Sequence, residues 1–211
     1  MAYSIKEIFY SLQGEGEQVG RPAVFVRFAG CNLWSGSEEE RSGAICKVCD
    51  TDFVGTDGPQ GGLYEDAVSL AETVRRLFPL SQEARPFVIC TGGEPLLQLD
   101  EPLVKAFHDR DFEVALETNG TLLPPPGIDW VCVSPKPGAP TVLEKGDELK
   151  LLFPQTGIEP ERFEGFASAH FFLQPIDGPD VKKHTEKAVR FCLDHPRWRL
   201  SIQMHKMLGI K

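Results

Sequence analysis

The chain predicts an incomplete (β/α) barrel built on a mainly parallel sheet, and three observations lead there. Short apolar, β-branched runs alternate with helical patterns along the whole length, the signature of repeated β/α units. With 211 residues and 23.4 kDa the chain can bury one substantial core, so a single domain over 1–211 is expected. Seven strand-like runs with few long helices fall short of the eight repeats of a closed barrel.

The strands are expected over 23–28, 86–90, 113–117, 130–133, 148–153, 170–174 and 199–204. Helices are expected over 65–78, ending before Pro79, then 101–109 and 180–195, with a shorter one after Pro160. Asp180 reads as an N-cap, and Val181, Ala188, Val189, Phe191 and Cys192 give the last helix an apolar face. Three consecutive prolines at 124–126 break regular structure but are too short for an interdomain linker.

Charge and composition narrow the partners. Lys+Arg total 22 against 31 Asp+Glu, a formal charge of -9 with pI near 5.1, which argues against nucleic acid. No basic leader precedes an apolar core at the N-terminus, and no apolar run reaches the ~18 residues of a membrane span. A cytoplasmic protein with no membrane partner is therefore expected.

Six cysteines raise the question of a disulfide framework, which a cytosolic chain of this size does not need. Cys90, Cys132 and Cys192 sit inside apolar runs and read as small buried hydrophobes. Cys31, Cys46 and Cys49 have polar neighbours, with fourteen residues and then two between them. Such a set suits a metal centre with one position left open.

Five strand ends carry small or hydrogen-bonding residues: Ala29-Gly30-Cys31, Thr91-Gly92-Gly93-Glu94-Pro95, Glu117-Thr118-Asn119-Gly120, Ser134-Pro135-Lys136 and Gln174-Pro175-Ile176-Asp177. In a β/α barrel the carboxyl ends of the strands share one mouth, so these clusters should converge on one cavity beside the cysteine loop. Arg27, between Val26 and Phe28, has a planar fork suited to a substrate carboxylate, against the plainer reading of a structural ion pair. Asp50-Thr51-Asp52 offers hard oxygen ligands of the kind Mg2+ prefers.

Three cysteines after the first barrel strand, with Gly92-Gly93-Glu94-Pro95 after the next, resemble the radical S-adenosylmethionine (SAM) superfamily. The fold class becomes an α/β incomplete barrel of the radical SAM type. The resemblance implies a [4Fe–4S] cluster on Cys31, Cys46 and Cys49, whose fourth iron takes the amino and carboxylate groups of SAM and whose electron cleaves it to a 5′-deoxyadenosyl radical. The Gly92-Gly93 pair suits backbone approaching the SAM amino group with no Cβ in the way. The superfamily's usual spacing is three residues, then two. Lengthening the first gap to fourteen adds roughly 1.4 kcal/mol of closure entropy, which cluster ligation offsets, and the acidic insertion at about 34–45 suits a solvent-exposed extension.

Along almost its whole length the chain further resembles the 7-carboxy-7-deazaguanine synthase family. The pieces that carry the resemblance are Ile8-Phe9-Tyr10-Ser11-Leu12-Gln13-Gly14-Glu15-Gly16, the stretch from Phe25 to Trp34, Cys49-Asp50-Thr51-Asp52-Phe53, Thr91-Gly92-Gly93-Glu94-Pro95, Glu117-Thr118-Asn119-Gly120, Ser134-Pro135-Lys136 and Gln174-Pro175. It implies a lyase of queuosine and 7-deazapurine biosynthesis that converts 6-carboxy-5,6,7,8-tetrahydropterin to 7-carboxy-7-deazaguanine. Hydrogen abstraction at C6, ring contraction and loss of ammonia would follow one another.

The resemblance also implies residue roles. Leu12, Gln13, Gly14, Arg27, Thr91 and Lys211 would hold substrate, with Glu15 and His205 nearby, and Thr51 would be the Mg2+ ligand. Val48, Cys49, Asp50, Gly93, Glu117, Asn119, Ser134, Pro135, Lys136, Gln174, Pro175, Ile176 and Asp177 would hold SAM. A flavodoxin-type reductant and a homodimer are the implied partners. Two other readings compete: an activase that installs a glycyl radical on a partner protein, and a zinc-stabilised binding module using the three cysteines with His205.

Overall fold

The computed structural model describes residues 2–79 and 85–211. Nine strands form one sheet: β1 (Tyr3–Leu12), β2 (Pro22–Phe28), β3 (Gly62–Tyr64), β4 (Phe87–Gly92), β5 (Glu113–Thr118), β6 (Trp130–Val133), β7 (Glu148–Phe153), β8 (His170–Pro175) and β9 (Trp198–Leu200). Their order is β3-β1-β2-β4-β5-β6-β7-β8-β9, with β3 and β9 as the edges of an open sheet. Every pair from β2·β4 to β8·β9 is parallel, while β1 runs antiparallel to β2 and β3. The helices are α1 (Ala67–Leu77), α2 (Glu101–His108), α3 (Val181–Asp194) and α4 (Met204–Leu208).

Strand alternation divides the sheet into two unlike faces. On the outer face Val24, Val26 and Phe28 of β2, Val88 and Cys90 of β4, and Val114 and Leu116 of β5 pack under Leu70, Val74, Leu103 and Phe107 of α1 and α2. Full burial of a side chain such as Phe28 or Leu103 contributes about 1.5–3 kcal/mol. Farther along, Leu149, Leu151, Phe171 and Leu173 pack with Ala188 of α3 and with Trp198.

The alternate residues face inward. Apolar side chains fill the lower part of that face, where Ala23, Phe25, Phe87, Ile89 and Ala115 cluster. One step nearer the carboxyl ends the same face turns polar: Arg27 follows Phe25, Thr91 follows Ile89 and Glu117 follows Ala115, while on β7 both Glu148 and Lys150 are charged. Arg27 and Thr91 are register partners, as are Glu7 and Arg27. Register thus aligns the polar groups in a row above an apolar floor.

Helix starts follow local chemistry. Asp66 accepts from the Ser69 amide at 2.8 Å to cap α1, and Asp100 accepts from the Leu103 amide at 3.1 Å to cap α2. Asp100 also accepts from the Tyr3 hydroxyl at 2.7 Å, which ties β1 to that helix.

Several expectations change. The strand expected over 199–204 is only Trp198–Leu200, and Met204 instead begins α4. Helix α3 begins after Asp180, but that side chain makes no cap hydrogen bond. Val181 and Val189 are exposed, so the buried stripe reduces to Ala188 with Phe191 and Cys192 half-buried beside it. Cys90 and Cys132 are buried as expected; Cys192 is only half-buried.

Strand β1 went unread because a register shift between Ile5 and Glu7 breaks its alternation, burying Tyr3, Ile5 and Ile8 at mixed spacing. The polar insertion folds as a short 3-10 helix, Glu38–Gly43.

The Gly92-Gly93 pair answers to crowding within the protein. A Cβ on Gly93 would lie 2.0 Å from the Gly30 carbonyl oxygen, and one on Gly92 would lie 2.3 Å from that of Phe28. The Gly93 and Glu94 amides donate to those same two carbonyls, at 3.2 and 2.9 Å, which stitches the end of β4 to the start of the cysteine loop. Gly93→Ala should therefore cost about 1–3 kcal/mol in urea unfolding of the metal-free protein. Gly165→Ala, where the added methyl meets nothing within 4 Å, should stay within about 0.5 kcal/mol of the parent. Equal midpoints for the two variants would refute the tight-approach reading.

Candidate active site

The five strand ends meet at one cavity of about 340 Å³, and each contributes lining residues: Cys31, Thr91 with Gly92 and Gly93, Glu117 to Asn119, Ser134 with Lys136, and Gln174. Glu94 is fully buried and holds two of these ends together. Its carboxylate accepts from the Thr118 hydroxyl (2.8 Å), the Asn119 amide (2.8 Å) and the Leu96 amide (3.0 Å). Burial pushes its pKa up, against the pull of those donors.

All three loop cysteines line the cavity as free thiols. Cys46 packs with Leu33, Trp34 and Phe53, and Cys31 and Cys49 lie against that small core. A hydrogen bond from Cys49 brings the Cys46 pKa down to about 6, with Lys136 adding a positive charge and burial opposing. The same bond, together with burial, drives the Cys49 pKa upward. Burial raises the Cys31 pKa.

Among the described residues no group of three or more His, Cys, Asp or Glu closes around a single metal ion. Thiols bound to different irons of a cluster stand farther apart than ligands of one ion. Three soft sulfur donors set against a small apolar core at the edge of the cavity fit an iron–sulfur cluster.

On the inner face, Arg27 donates through Nε to Glu7 Oε1 at 3.0 Å and lines the cavity. It is thus both an ion pair and a cavity residue. Lys211 reaches the other Glu7 oxygen, its ammonium lies 5.1 Å from the Phe9 ring centre, and its carbonyl accepts from Ser11 Oγ at 2.6 Å. The C-terminal tail therefore returns to the cavity. His205 stands so close over Gly14 that a Cβ there would meet its ring at 2.2 Å, and the Met204 amide donates to the Gly14 carbonyl at 3.0 Å.

Gln13 Nε2 donates to Glu117 Oε1 at 2.9 Å while Thr91 Oγ1 donates to Glu117 Oε2 at 2.9 Å. Glu117 consequently joins two residues expected at the substrate, although it was expected at SAM. Asn119 is fixed by its contacts with Asn32 (2.9 Å) and Thr121 (2.7 Å). Leu12, Gly14, Asp50 and Thr51 line the cavity. Val48, Pro135, Pro175, Ile176 and Asp177 do not. Asp177 instead accepts from Lys206 at 2.6 Å, and Lys206 also reaches Asp50.

Sequence reading passed over Glu7, Phe9, Lys150, Gln203 and Lys206. Lys150 carries the same signal that singled out Arg27, a charge between the apolar residues of a strand. Its side chain is 7% exposed and its ammonium lies 2.5 Å from Glu15 and 3.9 Å from Glu117. Burial opposes its charge, but the carboxylates outweigh burial and its pKa rises. Glu15 moves the other way: burial would raise its pKa, yet the charge and hydrogen bond of Lys150 lower it, helped by Gln203 at 3.1 Å.

No protein-family model matches the chain. Among curated proteins it is 61% identical to the 7-carboxy-7-deazaguanine synthase of Bordetella pertussis and 57% identical to that of Bradyrhizobium diazoefficiens, in each case over the whole of both chains. Among solved structures it is similar to the crystal structure of QueE from Escherichia coli, with TM-score 0.68 and 27% identity over 97% of this chain and 95% of that one. A three-thiol loop on the open mouth of an incomplete barrel agrees with those likenesses, and the chain belongs to the 7-carboxy-7-deazaguanine synthase family.

Proposed function

We propose that this chain, acting as one radical SAM domain over 1–211, converts 6-carboxy-5,6,7,8-tetrahydropterin to 7-carboxy-7-deazaguanine with loss of ammonia. The observation that carries the reading is the meeting of three thiols with a row of paired ionisable groups on one cavity. Cys31, Cys46 and Cys49 would hold the cluster, which with SAM supplies the radical that abstracts the C6 hydrogen. The chain's own residues bind, orient and exclude water.

Arg27 is held at Nε by Glu7, which leaves its terminal nitrogens to take the substrate carboxylate. Leu12, Gln13 and Gly14 present hydrogen-bonding groups to the pterin ring edge, with Thr91 and Glu117 opposite. Lys211 and His205 close the substrate from the tail. Gly93, Asn119, Ser134, Lys136 and Gln174 lie toward the SAM side, with Val48, Pro135, Pro175, Ile176 and Asp177 framing it from behind.

Mg2+ would bind at Thr51. Its two flanking aspartates are engaged elsewhere, Asp50 by Lys206 and Gln203, and Asp52 by Lys6 at 2.9 Å. Thr51 lines the cavity between them, and its hydroxyl would be the hard oxygen offered to the ion. Among the described residues no helix is long and apolar enough to cross a membrane, and the protein would work in the cytoplasm as a homodimer fed by a flavodoxin-type reductant.

Under anaerobic conditions the reconstituted protein with SAM, reductant and the carboxytetrahydropterin should give 7-carboxy-7-deazaguanine by mass detection. Cys46→Ala should give none, and rigorous chelation should slow turnover. Product from the cluster-free variant would sink the assignment, and turnover indifferent to chelation would remove Mg2+.

Lys150, itself buried, keeps two half-buried carboxylates compatible. Lys150→Met should destabilise the apoprotein by about 3–5 kcal/mol at neutral pH. Because the folded Glu15 pKa is depressed, the pair's contribution is complete above its ordinary value of 4.5 and is lost as pH falls below it. The gap between variant and parent in denaturant unfolding should therefore narrow below about pH 4.5. A gap that stays constant through that range would contradict the charge pairing.

A further inference from the structure

The residues between Cys31 and Cys46 are not ligands, yet they are built closely into the cysteine loop. Leu33 and Trp34 are buried with Cys46 and Phe53, and the Trp34 and Phe53 rings meet edge-on at 5.5 Å. The Ile45 and Cys46 amides both donate to the Leu33 carbonyl, at 3.1 and 3.2 Å, and close the insertion at its base. Trp34 Nε1 donates to the Ser37 carbonyl at 3.0 Å.

One side chain reaches from the insertion back to the Cys46–Cys49 half. The Arg41 guanidinium stacks on the Trp34 ring at 3.8 Å, and its Nη1 donates to the Lys47 carbonyl at 3.2 Å and the Cys49 carbonyl at 3.1 Å. Its Nε and Nη2 take both oxygens of Glu38, at 2.6 and 2.5 Å. The Arg41 side chain is 24% exposed and that of Glu38 72%. The cation is therefore drawn inward while its partner carboxylate stays in water.

We propose that Arg41 is the positioning residue through which the insertion acts on the cluster: it fixes the backbone of the two-cysteine turn and keeps a positive charge behind Cys46 and Cys49, raising the cluster's reduction potential. This rests on the reading of Cys31, Cys46 and Cys49 as cluster ligands. One planar group makes all four contacts at once, which a lysine ammonium does not match in stacking or in forked donation. Cluster potentials respond to nearby net charge and hydrogen bonding, and the reduced cluster is the more negative state, so an adjacent cation favours reduction.

The test is a redox titration, followed by electron paramagnetic resonance, of the anaerobically reconstituted parent, Arg41→Gln, Arg41→Lys and Glu38→Gln, with iron counted in each. Arg41→Gln should shift the midpoint to more negative potential, and Arg41→Lys should recover part of the shift. Glu38→Gln removes a negative charge and leaves Arg41 in place, so its midpoint should move to less negative potential. If Arg41→Gln fails to hold iron, the sign of the Glu38→Gln shift decides. Iron-loaded variants with the parent's midpoint would overturn the proposal. A Glu38→Gln midpoint at or below the parent's would do the same. A parent chain that holds no iron would overturn the cluster reading, and the proposal with it.

Discussion

Lys150 is the group on which the cavity depends. Its ammonium sits at the level where the inner face of the sheet turns from apolar to polar, with Glu15 and Glu117 on either side. Two carboxylates this close repel one another in a buried setting, and a buried amine alone would lose its proton. Together they are mutually compatible, and the chain of contacts continues through Glu117 to Gln13 and Thr91. The row at Arg27 repeats the logic, with Glu7 lying between Arg27 and Lys211. Charged groups can therefore face a small cavity without giving up the apolar floor below them.

The roof over that floor comes from segments distant in sequence. Helix α4 bridges the cysteine loop and the end of β8, because Lys206 contacts both Asp50 and Asp177. Gln203 spans Glu15 and Asp50, and His205 lies against Gly14. Tail, cysteine loop and first strand are thus linked by charge and hydrogen bonds rather than by a shared apolar core.

Much of the molecule was legible in the chain. The expected bounds of β2 and of β4 to β8 agree with the structure within two residues, because their short apolar runs pack under helices or neighbouring side chains, whereas the three-residue edge strand β3 carries no such run and was not foreseen. The convergence of the five strand ends follows from parallel order alone. What escaped had a physical cause. The register shift hid β1, and with it Glu7. Lys150 was passed over because an isolated lysine in a strand reads as solvated until its partners from other strands are known. Glycines 92 and 93 looked like room for a ligand, whereas their Cβ positions are occupied by the backbone of Phe28 and Gly30. Arg41 lay in a stretch read as acidic exposed extension, and its stack on Trp34 and its bonds to the Lys47 and Cys49 carbonyls reveal its direction.

The proposed chemistry depends on the three-cysteine loop as the seat of a cluster. Metal analysis of the anaerobically reconstituted chain, with acid-labile sulfide measured on the same sample, tests it most directly. About four irons and four sulfides per chain are predicted, with loss of both on replacing Cys31, Cys46 and Cys49 together by alanine. One tightly held zinc with no sulfide, removed by the same replacement, would contradict it.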